Sequence, residues 1–167
     1  PMSRKRTWSN AQLKSAVKES RSYRGVITIL GLIPTGGNYD QVKKSVEILN
    51  DSNGINFSKR KITISTSGVV PEILKFSDQI KTVLAISLHA TNDETRSKIM
   101  PVNKKYPLKE LMQACEYYVK TNPSGRITFE YVMLAGVNDA DEDAVNLVRM
   151  LKAHKLPALI NLIPFNP

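Results

Sequence analysis

The side chains able to do chemistry gather behind short apolar runs. Ser65, Thr66, Ser67 and Gly68 close or follow the run KITIS, and Ser87, Leu88, His89 and Ala90 close or follow VLAIS. Glu130 and Tyr131 lie within RITFEYVML, and Asn161 and Asn166 lie within and just beyond ALINLI. Hydroxyls, amides and one imidazole suit hydrogen bonding to a sugar, an amino acid group or an adenine edge. Each also has a plainer reading. Ser65 and Ser67 could form a turn that caps the next helix, His89, with no acidic partner at a motif spacing, could be a satisfied structural histidine, and Asn161 could satisfy backbone at a sheet end. Cys115, in LMQACEYYV among Leu111, Met112 and Val119, reads as a small buried hydrophobe. A single cysteine excludes a disulfide framework and any multi-cysteine metal or cluster site supplied by this sequence alone.

A further candidate is GLIPTGGNYD, where Gly36 and Gly37 precede a helical pattern starting near Tyr39. A glycine turn feeding a helix N-terminus suits anions. The stretch lacks the Lys-Ser or Lys-Thr pair of a phosphate loop and the three spaced glycines of a dinucleotide loop, so it reads as an ordinary turn or junction.

The elements that must position these groups follow from periodicity. Strands are expected at 61–65, 83–87, 126–134 and 158–163, rich in β-branched residues and short enough to be buried. Helices are expected near 71–77, 92–99, 107–121 and 140–154, with Asp93, Glu94, Asp139, Asp141, Glu142 and Asp143 where a helix dipole favours negative charge and Pro107 in a first turn. Strand and helix in alternation predict an α/β fold with a parallel sheet. Four strands are about half of an eight-stranded barrel, so the expectation is a partial parallel (βα) barrel, whose ligands bind at the carboxyl ends of the strands.

The first 37 residues read differently. Ser9 can cap a helix to about Ser20 with Leu13, Ala16 and Val17 inward, and Ser22 a second that carries Val26, Ile27 and Leu30 and stops at Gly31. Two short helices with a tight connection suggest a helix-turn-helix-like segment over residues 1–37, ahead of the barrel portion at 38–167. A third helix is expected from about Tyr39 to Leu49. Residues 1–45 hold nine Lys or Arg against Glu19 and Asp40, a balance of +7, while the other 122 residues hold fifteen against thirteen. That asymmetry predicts a polyanion partner, nucleic acid first, met by Arg4, Lys5, Arg6, Arg21 and Arg24. A solvated basic tail is the plain alternative. No apolar run is long enough to span a bilayer, and no apolar signal core follows the basic start, so the expectation is a cytoplasmic protein with no membrane partner.

The strings SKRKITISTSGVVPEI, AISLHATNDETRSKIMPVNKKYPL, RITFEYVMLAGVND and INLIPFNP together resemble the radical S-adenosylmethionine (SAM) enzymes that methylate C2 or C8 of an adenosine in 23S rRNA, the RlmN/Cfr family. The likeness runs from about Asn38 to Pro167. It implies a partial radical-SAM barrel and a methyltransferase acting on 23S rRNA, and on tRNA, with SAM and a [4Fe-4S] cluster as cofactors. It also implies that Ser65, Ser87, Leu88, His89 and Asn166 contact SAM. The family reaction needs three cluster cysteines and two catalytic ones; Cys115 matches none of them, so no metal ligand or catalytic residue is expected here and the chain alone is expected to be inactive. In the family the Asn-Tyr-Asp of the helix start follows a Gly-Glu-Pro cofactor loop, whereas here it follows IPTGG. Residues 6–39 resemble instead the N-terminal helix-turn-helix segment of phage-type HNH endonucleases, so the glycines read as a seam. The expectation is a fragment, a natural fusion or a chimera, with DNA binding through the basic segment and self-association as further expectations.

Overall fold

The structure is a computed structural model and describes residues 39–122 and 126–165. The chain forms two compact units, Pro1–Ser58 and Lys59–Pro167. The expected helices before Tyr39, the glycine pair, Arg4, Lys5, Arg6, Arg21, Arg24 and Asn166 lie outside the described residues. In the first unit, helix α1 (Tyr39–Asn50) ends in a tight turn. There the Asn50 side chain donates to the Phe57 carbonyl at 2.8 Å, and the Phe57 N–H donates to Leu49 at 2.7 Å.

The second unit opens with a 3-10 turn at Lys59–Lys61 and then alternates: β1 (Thr63–Thr66), α2 (Val70–Gln79), β2 (Val83–Ser87), α3 (Asp93–Ile99), a 3-10 turn (Pro101–Lys104), α4 (Leu108–Thr121), β3 (Ile127–Met133), α5 (Asp141–Ala153) and β4 (Ala158–Pro164). All pairings are parallel and the strand order is β1-β2-β3-β4. No reversal of order occurs among these strands, which separates the arrangement from a doubly wound sheet and matches an arc of a (βα) barrel.

Alternation along each strand sorts the two faces. Leu84, Ile86 and Leu88 pack with Ile127, Phe129 and Tyr131 and with Ile73 of α2, Leu111, Met112, Cys115 and Tyr118 of α4 and Leu147 of α5. The helices therefore cover one face. Cys115 is fully buried in that core, and burial pushes its thiol up to about 12. It is a packing residue, as its neighbours implied.

The helix ends show how the sequence sets the frame. Asn92 caps α3 by accepting from the Thr95 N–H at 2.8 Å. Asp143 reaches back to the Ala140 N–H at 3.2 Å, and Asp141, Glu142 and Asp143 fill the first turn of α5. Asp139 instead closes the preceding loop on the Gly136 N–H at 2.8 Å. Pro107 is the N-cap of α4 rather than a member of its first turn, because its ψ of 162° is extended. At the far end of α5, Lys155 donates to Lys152 and Leu156 to Leu151, both at 3.1 Å, the paired bonds of a Schellman ending. Edge strand β4 leaves Leu159 and Leu162 more than half exposed.

Candidate functional site

The face opposite the helices carries the polar side chains. Register aligns Ser65 with Ala85, Ala85 with Thr128, Ser87 with Glu130, and Glu130 with Asn161. Ser65 and Asn161 are exposed, and Ser87 and Glu130 are half-buried. Asn161 donates to Glu130 Oε2 at 2.7 Å, which orients the carboxylate across the β3–β4 pair. Asn161 thus serves a side chain, not the sheet-end backbone. Ser65 and Ser67 do not cap α2 either: Val69 is its N-cap without a side-chain bond, and the Gly68 N–H is taken by Thr66 Oγ1 at 3.1 Å. The hydroxyls of these two serines are not committed to the helix start.

Beneath this rim lies Arg96, fully buried and aimed at the loops after β1 and β2. Its Nε donates to Leu88 O at 3.0 Å, and its Nη2 donates to Ser87 O at 2.9 Å and Ser67 O at 3.0 Å. Its Nη1 donates to Asn103 Oδ1 at 2.9 Å. Four neutral oxygens share one cation. Asn103 then donates to Asp93 Oδ1 and Ser97 Oγ, each at 2.9 Å, and Asp93 Oδ1 accepts the Leu108 N–H at 2.8 Å. The network ties two strand-end loops to α3, the second 3-10 turn and the start of α4. Gly68 fits because it has no side chain: its φ is +100°, and a Cβ there would lie 3.0 Å from Arg96 Nη2 and 3.3 Å from Leu111 Cδ1.

Leu88 has no polar group to spare, since its N–H goes to Glu130 O at 3.0 Å, its carbonyl to Arg96 and its side chain to the core. Its burial fixes Ser87 on one side and His89 on the other. His89 takes a left-handed φ of +56°, and its Nδ1 accepts the Val132 N–H at 3.0 Å, extending the ladder past the end of β2 with a side chain. The neutral ring therefore carries its proton on Nε2. Burial first, and then the Arg96 charge, hold His89 below the ordinary imidazole value, against an upward pull from Glu130. Asn138 completes the corner: it donates to His89 O at 2.7 Å and Val132 O at 2.8 Å and accepts from the Leu134 N–H at 2.6 Å. Tyr131 points away from the rim and donates to Asn138 O at 2.9 Å.

Sequence reasoning therefore places Ser65, Ser87, Leu88 and His89 together at the strand ends and misses Arg96, Asn103, Asp93 and Asn138. The available signal for Arg96 was a cation in the middle of a seven-residue helix, DETRSKI, that exposes other charges. A solvated face explains such a residue equally well until its depth is known.

The sequence of residues 2–148 matches the profile of the radical SAM superfamily. The chain belongs to the radical SAM superfamily. Within the superfamily it is similar to the dual-specificity RNA methyltransferase RlmN of Mesorhizobium japonicum, 54% identical over 141 residues, which are 84% of this chain and 34% of that protein. A protein of the same name from Rhodopseudomonas palustris (strain BisA53) is 50% identical over 157 residues, 94% of this chain and 38% of that one. These identities place the chain with the RlmN/Cfr type, as the motifs indicated. Among solved structures, a radical SAM methyltransferase from Sphaerobacter thermophilus aligns with TM-score 0.73 at 46% identity, over 78% of this chain and 38% of that one. The chain thus spans about a third of the length of the curated relatives it matches.

The superfamily works with SAM and a [4Fe-4S] cluster. The hydroxyl, amide and carboxylate set at the strand ends fits the hydrogen-bonding groups of SAM. The cluster does not fit the residues present: the sequence has one cysteine, and it is buried in α4. Among the described residues no group of three or more His, Cys, Asp or Glu could hold a metal ion, and no helix is long and apolar enough to cross a membrane.

Proposed function

We propose that this chain forms part of the SAM-binding barrel of an RNA (adenine-C2) methyltransferase acting on 23S rRNA and tRNA. The observation that supports this reading is the polar rim of Ser65, Ser87, Glu130 and Asn161 over the Arg96 network, in a chain half identical to RNA methyltransferases. Ser65, Ser87, His89 and Asn166 contact the cofactor, with Leu88 anchoring the loop between two of them. His89 offers its Nε2 proton and Ser87 its hydroxyl, while the Ser87 and Leu88 carbonyls are already occupied by Arg96 and that of His89 by Asn138. SAM, when bound with a reduced cluster in this superfamily, supplies radical and methyl-transfer chemistry. This chain's residues bind and orient; it lacks the thiols for the remaining steps and is inactive alone.

Calorimetric titration with SAM tests the reading. Binding is expected, and Ser87→Ala should weaken it about three- to tenfold, the worth of one hydrogen bond of about 1 kcal/mol. Absence of binding to the wild-type chain would overturn the cofactor role. Anaerobic iron–sulfur reconstitution should give no stoichiometric cluster. Residues 1–37 add a nucleic-acid contact through Arg4, Lys5, Arg6, Arg21 and Arg24, for which DNA is the competing ligand to RNA in a binding comparison. The exposed Leu159 and Leu162 on an edge strand support self-association, readable by light scattering.

A further inference from the structure

The opposite edge of the sheet, where the strands begin, carries a row of cations. Lys59, Arg60 and Lys61 precede β1, Lys81 precedes β2, Arg126 precedes β3 and Lys155 precedes β4. All six are exposed. Because the strands are parallel and in sequence order, their starts are neighbours along one edge. Adjacent strands lie about 4.8 Å apart, so the row spans about 14 Å. The register holds the row in line: Thr63 pairs with Val83, which sets Lys61 level with Lys81, and the Arg126 carbonyl accepts the Leu84 N–H at 3.2 Å. Two carboxylates toward this end, Asp78 and Glu116, are engaged by Tyr117 at 2.8 Å and His154 at 2.7 Å. Among the described residues none of the six cations is in an ion pair.

A second observation separates this row from an incidental solvated edge. Lys81 and Lys155 occupy the same place in two βα units, two residues past the last residue of α2 and of α5. Both take left-handed backbone, with φ of 53° and 49°. That helix-ending position favours glycine, which adopts it without a steric cost, and a lysine does so under strain. Lysine twice at a glycine position, each time on the same edge, points to a use for the ammonium group.

From this we infer that the strand-start edge is a docking ridge for the phosphate backbone of RNA, on the side of the sheet away from the cofactor rim. A linear row of separated ammonium and guanidinium groups matches the repeating charge of a single strand, and long flexible lysines follow it without reading bases. The choice of RNA rests on the proposed function; the row itself does not. In the methyltransferase reading, a ridge on the far side would hold substrate RNA beyond the reacting nucleotide and so add affinity without touching the chemistry.

The test uses the full chain, a fluorescein-labelled mixed-sequence single-stranded RNA 12-mer, and anisotropy over 50–300 mM salt. Lys81→Gly and Lys155→Gly should each weaken binding about three- to fivefold at 0.1 M salt, and the double variant should flatten the slope of log K against log salt by about 1.4. The same variants should keep their melting temperature or raise it by up to about 3 °C, since glycine relieves the backbone. Loss of affinity with gain of stability is an outcome that a structural role for these lysines would not give. Lys109→Ala, exposed at the start of α4, removes equal charge from the other end. If it weakens RNA binding as much as Lys81→Gly, net charge alone is acting and the ridge is refuted. Unchanged RNA binding in the glycine variants, or equal competition by polyglutamate and RNA of matched charge, would also overturn it. SAM binding measured on the same samples separates failure of the ridge from failure of the cofactor reading.

Discussion

Replacing Arg96 by Met tests the central structural claim, that one buried guanidinium holds the rim together. The change keeps an unbranched apolar stem and removes the guanidinium with all its donors. Four oxygens then lose a partner. Those of Ser67 and Ser87 lie where water can reach, but Leu88 O and Asn103 Oδ1 are in buried bonds. Each buried orphan acceptor costs about 1–3 kcal/mol, and breaking a buried charged network by removing one member costs about 3–5 kcal/mol. We therefore expect a loss of about 3–5 kcal/mol. With a urea dependence of about 2 kcal/mol per molar for a chain of this size, the midpoint should fall by about 2 M. Arg96→Lys should recover little, because one ammonium cannot span two loops and an amide as the planar fork does. Urea unfolding followed through the near-ultraviolet signal of the buried tyrosines gives the readout, with exposed Arg149→Met as the control. A loss below about 1 kcal/mol, or one equal to that of the control, would refute the reasoning.

Two further outcomes follow from the same corner. Gly68→Ala should cost about 2–3 kcal/mol and Gly136→Ala about 1 kcal/mol, since both have positive φ but only the first would push a methyl against Arg96 and Leu111; equal costs in urea unfolding would refute the close-contact argument. His89 is held below its unfolded value of about 6.5, so the unfolded chain takes up the proton first. The stability contributed by neutral His89 is then complete above about pH 6.5 and is lost as pH falls through its lower folded value. The stability gap between wild type and His89→Asn, which tolerates positive φ, should narrow on going from pH 7.5 to 5; a constant gap would refute this.

What was legible in the sequence was whatever depends on neighbours along the chain. VLAIS is a strand over the span its composition indicated, and the remaining strands and the helices of the second unit differ from expectation by at most two residues at an end. Alternating apolar positions in RITFEYVM fixed which side of β3 meets the helices, and strand ends necessarily brought Ser65, Ser87 and His89 to one rim. The count of one cysteine was enough to exclude a cluster built from this sequence alone. What only tertiary structure decided were the partners of polar groups distant in sequence. Arg96 reads as one more surface charge until parallel pairing brings the Ser67 and Ser87 carbonyls, 29 and 9 residues away, over its guanidinium. His89 could be read as a satisfied structural histidine, but its partner was not legible until the end of β2 left the Val132 N–H, 43 residues on, facing its Nδ1. Periodicity reports which side of an element is buried, because that depends on spacing along one axis. It carries no information on which buried donor meets which acceptor, because that is set by the register between strands and by where each loop leaves the sheet.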